Sequence, residues 1–456
     1  RRAVRRPVAR RPVAAAAAVA AAAAVAAAAV AVARIAFEVL DTLGGLCSLT
    51  RASPTLDGSI PLRAAQACSP FLDGNRVGFQ LELSQRLALD RTLVGVTLRQ
   101  PPELLVRTLR GTAPRLAAEG LVPPGSALLK HLARGLVWRE RKGSRVSLFT
   151  GLFIRPKPGV VLRLGHAGNR RNLLFDVEQQ WLCDPSRFVP LVLGLELAAE
   201  TRFPLSLHGE LATVVPLDPS VQLRRLELAD ASEVGSAHFA FYDQKYFEQK
   251  KRAATKKYKK MLAQGSEIDE APECRLDAVT AGPDCITAHE AAPIQHYSFE
   301  NAVPLSARFD GHDTVVDPDR RALARFAEAT RSAWASVFDA ATLERAPGAI
   351  WYFTKYVTPH QAGEPLFFVK PPTLIRSSPG WSTLVEGVPG AGYEVLRGVV
   401  ATDRFHALPA VFRLSHPGRR VSVKAGAALA RFIPIPRALL EAGFDRVEWG
   451  YAPGAS

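Results

Sequence analysis

Ile375-Arg-Ser-Ser-Pro-Gly380, Thr402-Asp-Arg-Phe405, Leu408-Pro-Ala-Val-Phe412 and Gly426-Ala-Ala-Leu-Ala-Arg-Phe-Ile-Pro434 punctuate the stretch from Pro372 to Pro436. Four answering phrases stand in the same order between Thr150 and Pro219. They are Ile154-Arg-Pro-Lys-Pro-Gly159, Cys183-Asp-Pro-Ser-Arg-Phe188, Val189-Pro-Leu-Val-Leu193 and Gly209-Glu-Leu-Ala-Thr-Val-Val-Pro216. The offset between matched residues drifts only from 221 to 217, so a few single-residue slips reconcile the two blocks. The apolar runs within them are short and broken by Pro and Gly, as in sandwiches and barrels. The expectation is a duplicated β unit. The chain reads as mainly β with a few helices (α+β), two tandem related β-barrel or sandwich modules.

Outward from the blocks, the chain divides into four. Residues 1–34 form an Arg/Ala arm, with Val13 to Ala33 made only of Ala and Val. That run is long enough to span a bilayer, but Ala contributes little to insertion. A weak anchor or export signal, an Ala-rich helix, and low-complexity sequence outside the fold all remain open readings of it. Residues 35–235 form an N-terminal β-rich module, in which Ser69-Pro70 and Asp73-Gly74 read as tight turns. Pro101 to Gly135 reads as helical, and Leu136 to Ile154 as a hairpin around Lys142-Gly143. Residues 236–294 read as a basic helix and linker, and 295–456 as the C-terminal β-rich module. There Asp317 reads as the N-cap of a helix with Pro318 at its first position. Leu323, Phe326, Ala327, Trp334, Val337 and Phe338 then line one face. Ile350 to Lys370 reads as strand-rich, and Pro436 as the start of a terminal helix with Leu439, Leu440 and Phe444 inward.

The net charge of +15 is concentrated in two places. Six arginines stand among the first eleven residues, and eight cations stand against Glu248 between residues 245 and 260. The remainder is nearly neutral, so a basic globular surface is not indicated. The five cysteines are scattered without a C-x-x-C pair, which favours a reducing, cytoplasmic setting with one local pairing, Cys274 to Cys285, left open. One Met in a chain rich in Ala and Arg points to a GC-rich bacterial source.

Arg376-Ser-Ser378, then Gly398-Val-Val400 with Asp403, then Gly426 with Leu429-Ala430 resemble, in order and spacing, the motifs of the dUTPase and dCTP deaminase family, which has a β-clip fold. The resemblance covers about sixty residues, and about twice that if the first block shares it. It implies the fold, and a nucleotide site near those motifs. The carboxylate that would activate water in the family's second motif is replaced by Ala401, and by Leu182 in the first block. A general base must be a titratable group within hydrogen-bond reach of the water, so the resemblance does not carry its own catalysis with it.

The candidate ligand-binding residues are Asn169, Arg170, Arg171, Asp184, Arg376, Ser377, Ser378 and Asp403. Arginine forks match phosphate or carboxylate. The same residues also make ordinary turns, with side chains serving their own backbone. Asp310-Gly-His-Asp313 is the one tight carboxylate–His cluster, but no metal-ligand spacing accompanies it. No cofactor or metal is expected. Lys250, Lys251, Arg252, Lys256 and Lys257, interleaved with aromatic residues, are the candidate nucleic-acid contacts.

The leading reading of function is a non-enzymatic ligand-binding or assembly protein whose partner is a small anionic ligand. Its halves pack as an intramolecular pseudo-dimer or within a homo-oligomer. Two alternatives stand. One is a nucleotide or small-molecule enzyme, with Arg376, Ser377, Ser378 and Asp403 facing Asn169, Arg170 and Asp184 across the halves. The other is nucleic-acid binding through residues 245–260, which is not favoured. A membrane partner is not expected.

Overall fold

The computed structural model describes residues 35–53, 69–92, 95–99, 103–139, 145–166, 169, 175–197, 201–242, 258, 260, 273–290, 293–359, 363–388, 390 and 392–449. The N-terminal arm, the turn at Lys142-Gly143, Arg170, Arg171 and the basic residues 250–257 lie outside them. Among the described residues no helix is long and apolar enough to cross a membrane. The fold is mainly β with a few helices.

The first half begins with β1 (Ile35–Asp41), β2 (Cys47–Arg51), helix α1 (Ser69–Arg76), β3 (Phe79–Thr92) and β4 (Gly95–Leu98). Helices α2 (Glu103–Ala118) and α3 (Ala127–Leu132) follow. Then come β5 (Val137–Arg139), β6 (Arg145–Pro156), β7 (Val161–His166), β8 (Phe175–Val177), β9 (Gln180–Leu182), β10 (Val189–Leu197), β11 (Leu205–Leu217) and β12 (Val221–Arg225). One sheet runs β1-β6-β10-β8 with β5 also on β6. The other runs β2-β3-β11-β7-β9 with β4 also on β3.

Helix α4 (Ser232–Phe241) precedes the second half. Its strands are β13 (Cys274–Thr280), β14 (Ile286–His289), β15 (His296–Glu300), β16 (Leu305–Phe309) and β17 (Thr314–Pro318). Helices α5 (Arg320–Val337), α6 (Ala340–Arg345) and α7 (Pro347–Thr354) come next. The chain continues as β18 (Val357–Pro359), β19 (Leu366–Val369), β20 (Thr373–Ser377), β21 (Trp381–Gly387), β22 (Tyr393–Val395), β23 (Gly398–Val400), β24 (Ala410–Leu414), β25 (Val421–Val423) and β26 (Ala428–Pro436). Helix α8 (Arg437–Leu440) and β27 (Gly443–Val447) end it.

Pairings in the two halves run in step. The antiparallel pairs β1–β6, β5–β6, β6–β10 and β10–β8 stand beside β13–β20, β18–β19, β19–β24 and β24–β22. The pairs β11–β7, β7–β9 and β2–β3 stand beside β26–β21, β21–β23 and β14–β15. The register of the β7–β11 pair agrees as well: Pro216 faces Leu162 as Pro434 faces Thr383. Long strands of the first half are split in the second. Pro371 and Pro372 separate β19 from β20, because proline donates nothing to a ladder. Gly426, at φ 74°, turns the chain between β25 and β26.

The closing strands cross over. β12, at the end of the first half, lies parallel to β13 of the second, with Val221 opposite Cys274. β27, at the end of the second half, lies parallel to β1 of the first. Phe444 of β27 stacks on Phe37 at 5.3 Å and meets Phe79 edge-on. The core of the first half runs on into Leu384, Val399 and Ile433 of the second. Burial of each such side chain contributes on the order of 2 kcal/mol.

Several expectations are corrected. Residues 69–76, read as turns, are helix α1. The N-cap of α5 is Asp319, whose carboxylate accepts from the Ala322 amide at 2.7 Å, while Asp317 and Pro318 end β17. Pro318 is opposite Leu305 at the strand's end, where its missing donor is tolerated. The apolar face itself stands, with Phe326 and Trp334 buried. The stretch read as linker contains β13 and β14, because alternation in Cys274–Thr280 outweighs its flanking prolines. Pro347–Thr354 is a helix at the start of a stretch read as strand, and Phe444 lies in a strand beyond α8. Cys274 and Cys285 are both free.

Candidate functional site

Helix α1 carries Asp73-Gly-Asn-Arg76 against β23. Gly74 is required there, since a Cβ would lie 2.7 Å from the Arg397 carbonyl oxygen and from the Gly398 Cα. The close approach brings Asn75, 2% exposed, beside Asn169. The Asn169 amide nitrogen donates to Asn75 Oδ1 at 2.6 Å and to the Arg397 carbonyl at 3.0 Å. The Asn169 side-chain oxygen accepts from the Arg397 amide. One side chain of the first half thus pairs with both backbone groups of a residue in the second. Arg413 donates to the Asn169 carbonyl at 2.5 Å and is itself paired with Glu394.

Beside this knot lies a buried charge cluster. Arg163 of β7 forms an ion pair with Glu386 of β21, and both are nearly inaccessible. Arg397, 3% exposed, reaches the same carboxylate at 3.3 Å. Arg431 faces Glu386 across the β21–β26 ladder and donates to Gln179 Oε1 at 2.6 Å. Burial, with repulsion from Arg397 and Arg431, drives Arg163 well below the ordinary arginine range. Burial pulls Arg397 down to about 10, offset by attraction to Glu210, so it remains charged at neutral pH. Burial also lowers Arg431. Arg163 Nε, Arg397 Nε and Arg397 Nη1 are buried and find no acceptor among the described residues. A buried donor left unmatched costs about 1–3 kcal/mol, and such orphans are a mark of ion or water sites. The cluster thus places unmatched guanidinium donors between the halves.

Of the residues singled out from sequence, Asn169 belongs to this seam. Its partners are Asn75, Arg397 and Arg413, and not Arg376, Ser377, Ser378 or Asp403. Arg376 is committed to Asp277, at 2.8 Å, and to Glu233, at 2.8 Å. Ser377 joins a buried hydroxyl chain: Thr402 donates to it at 2.7 Å, and it donates to the Trp381 carbonyl at 3.2 Å. Ser378 Oγ accepts from the Arg275 amide at 2.9 Å. Asp403 is gripped by both terminal nitrogens of Arg437, at 2.9 and 2.7 Å. Asp184 closes a local turn on Ser186 and pairs with Arg187. Asp310 accepts the His312 and Asp313 amides of its own turn. Ala401 and Leu182 are both buried.

Arg163, Glu386, Arg397 and Arg431 were not singled out. Their signal was available: each is a charge inside an otherwise apolar run, as in Val160-Val-Leu-Arg-Leu164 and Leu429-Ala-Arg-Phe-Ile433.

No protein-family model matches the sequence, and no curated protein does. Among solved structures, the chain is remotely similar to "2'-deoxycytidine 5'-triphosphate deaminase from Agrobacterium tumefaciens". The alignment is 10% identical, covers 79% of this chain and 88% of that one, and has a TM-score of 0.27. A likeness this remote bears on neither activity nor site.

Proposed function

We propose that this chain is a non-enzymatic ligand-binding protein. In this reading it is a duplicated pair of dUTPase-like β modules, locked into an intramolecular pseudo-dimer, that holds a small anion at the seam. The observation that carries it is the set of buried, unmatched guanidinium donors on Arg163 and Arg397. Arg163 and Arg397 share the Glu386 carboxylate, Arg431 stands opposite it across the ladder, and Glu210 attracts Arg397, so an added anion would meet a favourable field in a medium that screens weakly. The buried Ala401 and Leu182 support the non-enzymatic side, since neither can take a proton.

Thermal unfolding of the full chain tests it, with inorganic phosphate, or nucleoside triphosphate plus Mg²⁺, against chloride at matched ionic strength. Ligand at a hundred times its Kd stabilises by about 2.7 kcal/mol. That gain should vanish in Arg397→Met, whatever the variant's own baseline. Equal gains in both chains, or none in either, would refute the seam as the site. Turnover of the triphosphate would reassign the protein as an enzyme.

A further inference from the structure

Apart from the seam, a cavity opens where α2 and α3 meet β4 and β5. Its volume is about 210 Å³. Val106, Leu109, Leu132 and Leu136 form its apolar wall, and Arg110 and Arg134 stand at its rim. Both arginines are exposed, and neither has a carboxylate partner among the described residues.

The other half shows what would close this space. Leu109 is the seventh residue of α2, and Phe326 is the seventh of α5. Leu136 immediately precedes β5, and Tyr356 immediately precedes β18. The backbone agrees: Phe149 donates to the Leu136 carbonyl as Lys370 donates to that of Tyr356. In the second half these positions hold a buried aromatic pair with ring centroids 4.5 Å apart. In the first half two leucines leave the volume open. Well-packed interiors retain few such voids.

We infer that this cavity is a binding site for a small monocarboxylate with an aromatic or branched apolar body. Size and charge set the class. A cavity of roughly 150 Å³ accepts benzene, while sites for drug-sized ligands begin near roughly 300 Å³. The space here takes one ring and a short substituent. The apolar wall receives the ring, and the guanidinium groups of Arg110 and Arg134 receive the carboxylate.

Isothermal titration of the full chain with benzoate, toluene and benzylammonium tests the assignment. Benzoate should bind saturably and at least tenfold more tightly than the other two. Arg110→Gln/Arg134→Gln should weaken benzoate about tenfold. Leu109→Phe/Leu136→Phe should abolish its binding while the chain unfolds at or above the wild-type temperature. Phe is used at 136 because the Tyr356 hydroxyl depends on Asn301 and Ala302. Absent benzoate binding, toluene or benzylammonium binding as tightly, or benzoate binding untouched in the filled variant would overturn the proposal. Should the filled variant not fold, the arginine pair decides.

Discussion

Truncation of Asn169 to alanine puts the seam under the sharpest test. The side chain donates to Asn75 Oδ1 and to the Arg397 carbonyl, and accepts from the Arg397 amide. Asn75, Asn169 and Arg397 are each no more than 3% exposed, so water cannot replace the lost partner without opening the interface. Two buried groups would lose this partner at once, the amide and the carbonyl of Arg397, and Asn75 Oδ1 would lose one donor. At about 1–3 kcal/mol for each, with partial relaxation, the expected loss is about 3–5 kcal/mol. Chemical denaturation followed by tryptophan fluorescence measures it. Asn75→Ala alone should cost less, and the double variant should fall short of the sum of the singles by at least about 0.5 kcal/mol, as for residues in one network. A loss below about 1 kcal/mol for Asn169→Ala, or strict additivity with Asn75→Ala, would show that the contact does not bind the halves together.

Arg437→Met should destabilise by about 2–4 kcal/mol, because it leaves the buried Asp403 carboxylate without its bidentate partner; urea unfolding reads the difference. Gly74→Ala should cost about 1–3 kcal/mol by forcing a Cβ against the Arg397 carbonyl, whereas Gly111→Ala, inside α2 with nothing within 4 Å of its added Cβ, should stabilise by about 0.5–1 kcal/mol. His238 lies among Tyr242, Tyr352 and Phe353, where burial first, and then repulsion from His406, pull its pKa down to about 3. The folded chain keeps it neutral while the unfolded chain protonates it below about 6.5. Stability should therefore fall as pH drops through the window from 6.5 to 3, by at most about 1.4 kcal/mol per pH unit from this group. His238→Phe should flatten that part of the profile measured by denaturation at pH 7, 6 and 5. Deleting residues 443–456 removes β27 from beside β1 and exposes a strand edge; limited proteolysis should then attack the first half sooner.

The β character and helix α5 were legible because both rest on local periodicity. Phe326, Thr330 and Trp334 fall at four-residue spacings on one helix face, and burial follows them. What escaped depends on contacts distant in sequence. Asp73-Gly74 has the composition of a turn, yet the segment is helical because Gly74 admits the Arg397 carbonyl, which no local rule anticipates. Arg376 and Asp403 look like ligand groups until Asp277 and Arg437 are seen to hold them. Those partners come from β13 and α8, and pattern within the motifs says nothing of either. Asn169 was legible as a turn residue facing the far half, but Arg397 as the residue it meets there was not. The arginines of the seam were hidden differently. Each sits in a run of apolar residues, where the run predicts a buried strand and the charge contradicts it. A contradiction between local pattern and residue type marks a functional or strained place, and it could have been read as such.

Comparison of the two halves sharpens where function lies. Their frames agree pairing by pairing, so differences at matched registers are not dictated by folding. Glu386 faces Arg431 across β21–β26 where Gly165 faces Thr213 across β7–β11. Leu109 and Leu136 stand where the second half has Phe326 and Tyr356. The charged pair therefore belongs to the second half, and the open cavity to the first. A pair of modules kept only for mutual packing would tolerate like residues at both sets of positions. A buried ion pair is weak evidence of stability in itself, because desolvation can exceed the Coulombic gain. An open cavity likewise costs about 20–25 cal/mol per Å³ relative to a filled one. Both departures are unfavourable for the isolated fold. Each becomes intelligible when something other than folding uses it: an anion at the one, an apolar carboxylate at the other. The halves also cannot separate without unpairing β12 from β13 and β27 from β1. The strand exchange thus helps fix Arg163 against Glu386 and Arg397, the preorganisation that the proposed anion site would need.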